Sequence, residues 1–386
     1  MKRRYMIAAA FAAVALAGEA MPESMDSLAA AIAGADPAWQ ARRAELRAAE
    51  LSVKADASLP GIEAEGEYLW GTQGENRWGF GVSQGFDWPG VYGARREAAG
   101  AAGRAFAQLA RAEQAERTLA AKLALIDLVA ARRRAAKAGG ICDNLRRLTD
   151  LTQRALDHGQ ATILDLRKLQ IATLEAELKL QQAEQTRTEA LAALQALGFK
   201  GDVPDGLSYP EAADSRTAAE AWQAMPSVKA AEAEAEAARA RARAAARSMM
   251  PGFSLGYRHQ MEGGQHFNGL SVGISLPAWG ANKQRNAARA EAEAAAWQAE
   301  AALSSHQAAL QAALRNVQAL EGRVKAYDKA LDTADYPELL QKSLNGGQIT
   351  MLTYIQELNF FLEAEMERID VEQQYQAALA GLQRYL

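Results

Sequence analysis

Cysteine and histidine are scarce in this chain of 386 residues, which contains one cysteine and four histidines. Because Cys142 is alone and lies far from the N-terminus, it can neither close an internal disulfide nor carry an N-terminal lipid. The histidines (His158, His259, His266 and His306) have no partners at metal-site or catalytic spacing. We therefore predict no metal site and no cofactor, and an inert role for Cys142 within a helix.

The motifs that accompany catalysis and nucleic-acid binding are also missing from the sequence. It contains no glycine-rich phosphate loop, no paired cysteine motif and no nucleophile elbow. Aromatic residues make up only 7% of the chain, and the formal net charge is -4. Since a nucleic-acid partner is usually held by a basic face, these values argue against one. We expect a protein that is not an enzyme.

Long apolar runs are confined to the N-terminus. Lys2-Arg3-Arg4 precede an apolar run over residues 6–17, which ends in the small-residue triplet Ala15-Leu16-Ala17. This pattern is typical of a secretory signal peptide that is cut after Ala17, or, as the second choice, after Ala20. No later segment is apolar for 18 residues, so no transmembrane helix is predicted in the mature chain.

What the sequence does contain is an internal repeat. Residues 156–164 return as residues 344–352, and the Pro-Gly pair at 60–61 returns at 251–252. The landmarks keep one order at a spacing of about 190 residues, much longer than the repeat of a solenoid protein. We predict a duplicated architecture with repeats at 27–205 and 206–386.

Alanine, leucine, glutamine, glutamate and arginine dominate both repeats and favour helices. The predicted helices span 27–59, 90–157, 161–197, 216–249, 278–345 and 349–384. Two of them would be about 100 Å long at 1.5 Å per residue, and the shorter helices would stack end to end beside them. Gly139-Gly140 and Pro337 are candidate bends. Such helices predict the wall of a long cylinder.

Two segments instead alternate apolar with small or polar residues. They predict two hairpins with strands at about 61–70 and 77–88, and at about 252–261 and 267–276. Strands of this length and pattern suit the wall of a transmembrane barrel, and a half-buried soluble sheet is the alternative. Four strands cannot close a barrel, and open strand edges are not tolerated in lipid. The chain should therefore oligomerise, and three copies with twelve strands would form the smallest comfortable pore.

In this order of elements the chain resembles the TolC family of outer-membrane efflux proteins. The most specific segments are 159–166 and 347–354, which look like the periplasmic helix-turn-helix tips of that family. Residues 339–344 and Glu357 resemble its heavy-metal branch, the CzcC/CusC-like proteins. The resemblance implies a fold that is mainly α with a β-barrel portion: a homotrimeric twelve-stranded barrel in the outer membrane and a long periplasmic α-helical tunnel. It also implies a periplasmic adaptor protein and an inner-membrane pump, of the RND type, as partners.

Candidate site residues lie at the tips. Glycine tolerates the positive φ that closes a helix, and threonine caps the next helix, so each tip can reverse the chain within a few residues. The predicted adaptor-docking residues are Gly159, Gln160, Thr162, Gly347, Gln348 and Thr350. A generic helix hairpin without a docking role is the alternative.

Two further site predictions concern the gate and the membrane boundary. Asp165 matches a position where members of the family carry carboxylates at the closed periplasmic entrance, although the second repeat has Thr353 there. A threefold ring of carboxylates would favour cations. Trp70, Trp78, Trp88 and Tyr257 are candidates for aromatic belts at the membrane interfaces. Simple packing within the hairpins is the alternative for each of these four residues.

The function predicted from the sequence is a passive outer-membrane exit duct that extends into the periplasm. A partner pump would supply the energy, and heavy-metal cations are one candidate cargo. The exit channel of a type I protein secretion system has the same architecture and is an alternative. A periplasmic coiled-coil scaffold without a pore is another, although a scaffold has no need of four alternating strands.

Overall fold

A computed structural model describes residues 24–70, 76–210, 222–276, 280–331 and 336–383 of the chain. The predicted signal peptide lies outside the described residues. No helix in these ranges combines the length and the apolar character that a membrane crossing requires.

The described elements repeat one order: a helix, a strand hairpin, a long helix, a tight turn and a returning helix. In the first half they are α1 Met25–Ala35, α2 Pro37–Asp56, β1 Ile62–Leu69, β2 Arg77–Phe86, α3 Pro89–Asp157 and α4 Ile163–Ala196. In the second half they are α5 Pro226–Arg247, β3 Gly252–Glu262, β4 Gln265–Ser275, α6 Ala281–Ala330, α7 Tyr336–Asn345 and α8 Met351–Gln383. A short 3-10 turn, Trp222–Ala224, precedes α5.

Three helices differ from the sequence prediction. The helix predicted over 27–59 is two helices, because the Asp36 side chain caps a new helix by accepting from the Ala38 N–H at 2.9 Å and Pro37 occupies its first position. Helix α5 begins at Pro226, about ten residues later than predicted. The helix predicted over 278–345 is described as α6 and α7, and residues 332–335 between them lie outside the described ranges.

Helix α3 continues without a break through Gly139 and Gly140, the predicted bend. It is 69 residues long, which corresponds to about 100 Å. Two shorter helices pack along it in succession, as predicted. Near the sheet, Arg104 of α3 donates to Glu236 of α5 at 2.6 Å, and near the far end Arg146 of α3 donates to Glu177 of α4 at 3.0 Å.

The second long helix, α6, packs in the same manner on two partners. Next to the sheet, its Ala295 lies in an alanine cluster with Ala235 and Ala238 of α5. Farther away, Leu310 and Val317 pack with the C-terminal end of α8. Small side chains let the helix axes approach closely, so long helices run side by side over most of their length.

The four strands form one antiparallel sheet in the order β1-β2-β3-β4. Strands β3 and β4 are joined by the two-residue turn Gly263-Gly264, in which both residues have positive φ (54° and 81°). Glycine is favoured in such a turn because it adopts positive φ without steric cost. The Gly263-Gly264 turn lies at one end of the sheet, and the helices leave the sheet from its other end.

Candidate functional site

The register of the sheet gives it one apolar face. Residues that pair directly across an antiparallel ladder point to the same side. Phe80 pairs with His259 and Val82 pairs with Tyr257, and Tyr257 in turn pairs with Leu270. The large apolar side chains on this face are exposed: Ile62, Tyr68, Trp78, Phe80, Val82, Phe86, Phe253, Leu255, Tyr257, Leu270, Val272 and Ile274. The predicted alternation of the strands is confirmed.

The opposite face carries mainly charged, polar and small residues, with Leu69 and Phe267 as exposed apolar exceptions near its turn end. The Arg258 guanidinium lies 3.5 Å from the Glu65 carboxylate, and Arg77 forms an ion pair with Glu262. Gly81 lies between Glu65 and Arg258 on the intervening strand. The sheet is therefore two-sided, with an apolar side fit for hydrocarbon and a polar side fit for water.

The two outermost strands have no partner on their outer edges within the described part of the chain. Strand β1 pairs only with β2, and β4 pairs only with β3. Each edge presents a row of backbone N–H and C=O groups that require partners when water is absent. A sheet with an exposed apolar face and two open edges is incomplete as a single chain.

Aromatic side chains lie at both ends of the apolar face. Trp70 and Trp78 are near the hairpin turns, and the Trp88 ring packs 5.8 Å from the Phe253 ring near the helices. Ten residues separate Trp78 from Trp88, or about 25 Å of height for a strand tilted by roughly 40°. That height matches the apolar band of a barrel. Tyr257 lies midway along β3, where its hydroxyl donates to Asn268 Oδ1 at 2.6 Å.

Polar side chains interrupt the apolar face close to the Gly263-Gly264 turn. His259 Nδ1 is 2.7 Å from Asn268 Oδ1, and the rings of His259 and His266 are 5.5 Å apart. No three histidine, cysteine, aspartate or glutamate side chains of the described residues converge as metal ligands. The apolar band of the sheet therefore ends at these polar side chains, before it reaches the Gly263-Gly264 turn.

At the far end of the helices, the first tip reverses the chain between α3 and α4. Gly159 has φ 70°, and the Gln160 N–H donates to the Ala155 carbonyl at 2.8 Å, which closes α3 in a Schellman arrangement. Thr162 then caps α4, because its Oγ1 accepts from the Asp165 N–H at 3.2 Å. These contacts complete the turn within a few residues.

The second tip, between α7 and α8, repeats these contacts. Gly347 has φ 68°, and the Gln348 N–H donates to the Ser343 carbonyl at 2.9 Å. Thr350 Oγ1 accepts from the Thr353 N–H at 3.2 Å. The structure thus places the glycine, glutamine and threonine of each tip in equivalent turns.

Asp165 lies in the first turn of α4, where a carboxylate is favourable. Its Oδ2 accepts from the Thr162 hydroxyl at 2.6 Å, and its Oδ1 is 3.7 Å from Lys168 Nζ. In the second tip, the Thr350 and Thr353 hydroxyls are 2.9 Å apart instead. The gate function predicted for Asp165 stays a prediction.

Each tip also exposes a leucine that the sequence analysis did not assign to the site. Leu164 is 68% exposed and Leu352 is 46% exposed, and both are the second residue of the returning helix. The sequence repeat could have identified these two leucines, since they occupy equivalent positions in its two copies. Each turn thus presents an exposed apolar side chain at an equivalent position.

A buried cluster holds the second tip against helix α3. Tyr354 of α8 is fully buried and packs with Cys142, Leu145 and Leu358. Burial raises the pKa of the Tyr354 hydroxyl and of the Cys142 thiol. A buried thiol with a raised pKa is a poor nucleophile, which accords with the inert role predicted for Cys142.

Comparison with known proteins finds a matching family model and several structures of similar fold. The family model described as outer membrane efflux protein matches residues 218–386. CusC, whose crystal structures concern folding and transmembrane channel formation, is similar over 94% of this chain and 91% of its own, with 16% identity and a TM-score of 0.68. No curated protein sequence matches the chain.

Two further solved structures have the same fold. The outer membrane protein VceC from Vibrio cholerae is 16% identical with a TM-score of 0.71, over 93% of this chain and 95% of its own. A membrane protein from Pseudomonas aeruginosa is 18% identical with a TM-score of 0.71, over 94% of this chain and 93% of its own. At these identities the likeness establishes the fold, which therefore extends over both halves of the chain.

Proposed function

We propose that this chain is the exit duct of a tripartite efflux system, and the match of residues 218–386 to the model of outer membrane efflux proteins supports the proposal. Three copies form a closed barrel in the outer membrane, and their helices continue as a tunnel into the periplasm. The duct is passive. An inner-membrane pump of the RND type drives the cargo, and a periplasmic adaptor joins the pump to the duct.

The observation that carries this proposal is the two-sided sheet with open edges. Four strands per copy cannot form a closed barrel, whereas three copies supply twelve. Pairing β4 of one copy with β1 of the next satisfies both open edges at once. The apolar face then meets lipid, and the face with Glu65, Arg77 and Arg258 lines the lumen.

For adaptor docking, we propose the two tips. They lie at the end of the helices opposite the sheet, and each presents an exposed leucine beside a turn held by glycine and threonine. The duplicated turns would give a trimer six similar contact points. An adaptor can thus meet alternating first and second tips around the rim.

For the cargo, we propose heavy-metal cations. The resemblance of residues 339–344 and Glu357 to the heavy-metal branch supports this class. Three Asp165 side chains at the periplasmic entrance would add a ring of negative charge, which raises the local concentration of cations. Secretion of a protein substrate instead of metal efflux would identify the duct as part of a type I secretion system.

The test is reconstitution of the purified full-length protein into planar bilayers. We expect a heat-resistant trimer in detergent and discrete conductance steps that prefer cations. A monomer without conductance at any voltage would contradict the exit duct and favour a scaffold.

Docking is tested separately with single cysteines at Gln160 or Gln348 in a Cys142→Ala background. We expect both to crosslink to the adaptor. A matched cysteine at the exposed Gln265, beside the hairpin turn, should not crosslink. The reverse pattern would show that the molecule is oriented the other way in the envelope.

A further inference from the structure

The order of the strands determines which helices meet between copies. Helix α2 leads into β1 and helix α6 follows β4, so both continue from the open edges of the sheet. When β4 of one copy pairs with β1 of the next, α6 of the first copy runs beside α2 of the second. This seam exists only in the trimer, so any contact across it rests on the proposed function.

Trp297 lies on the side of α6 that faces away from its own chain. Ala292, Ala295 and Ala299 turn toward α5. With 3.6 residues per turn, a residue two positions after Ala295 lies on nearly the opposite side of the helix. Trp297 is accordingly 68% exposed. A tryptophan left exposed on the side of a helix opposite its packing partner is a candidate for a contact between chains, because tryptophan is enriched among the residues that dominate interfaces.

Two glutamates flank this tryptophan. Glu293 and Glu300 are one turn before and one turn after it, and both are exposed. Neither forms an ion pair with another described residue. The outward face of α6 therefore carries an apolar knob between two unneutralised carboxylates.

Helix α2 offers a matching surface. Gln40, Arg43, Ala44 and Arg47 line an open cavity of about 560 Å³ between α2 and α3. Their spacing of three, four and seven residues is that of the four residues that form a hole for a side chain of a facing helix. Small Ala44 leaves room at the base of this hole.

The two arginines of the hole are available for an outside partner. Arg42, next to them, is engaged by Glu45 and Glu113 at 3.1 Å. Arg43 and Arg47 have no ion pair with any described residue. Two free guanidinium groups on α2 thus complement the two free carboxylates on α6.

A series of contacts relates the height of the tryptophan to that of the hole. On α6, Ala295 packs against Ala235 of α5. The next α5 residue, Glu236, accepts from Arg104 of α3 at 2.6 Å. Beside Arg104, a Cβ built on Gly103 would lie 3.7 Å from Glu50 Oε1 of α2. Ala295 and Glu50 are therefore at nearly the same distance from the sheet.

From these two residues the helices continue away from the sheet in opposite chain directions. Trp297, two residues beyond Ala295, lies about 3 Å farther from the sheet. Arg47, three residues before Glu50, lies about 4–5 Å farther. Arg47 is therefore nearly level with Trp297, whereas Arg43 and Ala44, about one turn farther along α2, are nearly level with Glu300.

We propose that Trp297 of one copy packs against Arg47 at the sheet-side end of the hole formed by Gln40, Arg43, Ala44 and Arg47 of the next copy. The Arg47 guanidinium stacks on the indole ring, which is the preferred aromatic partner of a cation. Glu300 lies between the heights of Arg43 and Arg47 and pairs with them, and Glu293 approaches Arg47 from the side of the sheet. The contact fixes the vertical register of neighbouring copies below the barrel.

Disulfide trapping tests the register. In a Cys142→Ala background, Ala44→Cys combined with Glu300→Cys should give a covalently linked trimer on a non-reducing gel, because Cα atoms within about 7 Å can form a disulfide. The control pair, Ala44→Cys with Ala308→Cys, lies on the same face but about 12 Å away along α6. It should stay unlinked.

Charge reversal tests the pairing. Glu293→Arg with Glu300→Arg should lower the yield of heat-resistant trimer by about tenfold or more, because like charges then face each other across the seam. Adding Arg43→Glu and Arg47→Glu to the same chain should restore the yield.

The outcomes separate this inference from the proposed function. A heat-resistant, conducting trimer in which the Ala44–Glu300 cysteine pair does not link would overturn the register but leave the exit duct intact. If the variant with all four charge reversals does not regain the trimer yield, the proposed pairing is overturned and the exit duct again stays intact. A wild-type protein that is monomeric and without conductance would overturn both.

Discussion

Gly159 and Gly347, about 190 residues apart, have the same backbone conformation, with φ of 70° and 68°. In each case the residue after the glycine donates its N–H to a carbonyl five residues earlier. A Cβ added at either glycine would meet no atom within 4 Å. Their requirement for glycine is therefore conformational and does not arise from crowding.

This relationship predicts the effect of Gly347→Val. A non-glycine residue in this conformation costs about 1–2 kcal/mol, and a β-branched residue resists it further. We expect loss of adaptor crosslinking and of efflux, with the yield of trimer near normal because the barrel is about 100 Å away. Gly322→Val is the control, since Gly322 lies within α6 and has open space around it. Loss of the trimer in Gly347→Val alone would show that the tip is needed for assembly.

The two faces of the sheet should respond differently to charge. Phe80→Arg or Ile274→Arg places a cation in hydrocarbon at a cost of about 2–4 kcal/mol near the midplane, so insertion into outer membranes should fail. Gly81→Arg and Gly269→Arg add the same charge to the polar face with room for it. They should insert normally and change conductance.

Gly269 is preferred to Gly273 for the polar-face control, because a Cβ at Gly273 would require the Ser254 hydroxyl to rotate away. Membrane fractionation and single-channel recording measure the two effects. Equal tolerance of arginine on both faces would contradict the assignment of lipid and lumen.

Asp165→Asn should change selectivity without disturbing the first tip. The cap at Thr162 uses the backbone N–H of residue 165, which asparagine retains. Removing three negative charges from the entrance should therefore weaken cation preference, while crosslinking from Gln160 persists. Asp157→Asn, at the end of α3, is the control. Unchanged reversal potentials in salt gradients would show that Asp165 acts as a helix cap and not as a gate.

Tyr209 predicts a loss of stability at alkaline pH. Burial raises the pKa of its hydroxyl from 10.0 to about 12, and its ring lies 4.5 Å from the Arg133 guanidinium. The unfolded chain releases this proton first, so the contribution is fully present below pH 10 and is lost as the pH rises from 10 to about 12.

The measurement compares urea unfolding of the wild type with Tyr209→Phe across this window. The variant should lose less stability between pH 10 and 12, and it should be no less stable at pH 8, because the buried hydroxyl has no hydrogen-bond partner among the described residues. Identical pH dependence of the two proteins would contradict the raised pKa.

Local patterns were enough to predict much of this molecule. The alternation of Phe80, Val82 and Gly81 assigns the faces of a strand before any partner strand is known, because side chains alternate along every strand. Gly159 with Thr162 predicts the tip, since both the positive φ and the helix cap are properties of neighbouring residues. The division at Asp36-Pro37 was equally local, and the aspartate-proline signal for a new helix was readable in the sequence.

Only the tertiary structure decided how distant segments align. The pairing of Phe80 with His259 joins the two repeats, and nothing local to either strand specifies it. Trp297 and Arg47 lie at similar distances from the sheet, and this alignment likewise depends on the packing of α5 and α3 between α6 and α2. The space for a side chain at Gly273 also depends on Ser254 across the ladder. Such alignments result from side chains packing across segments far apart in sequence, so they become defined only when the whole chain is folded.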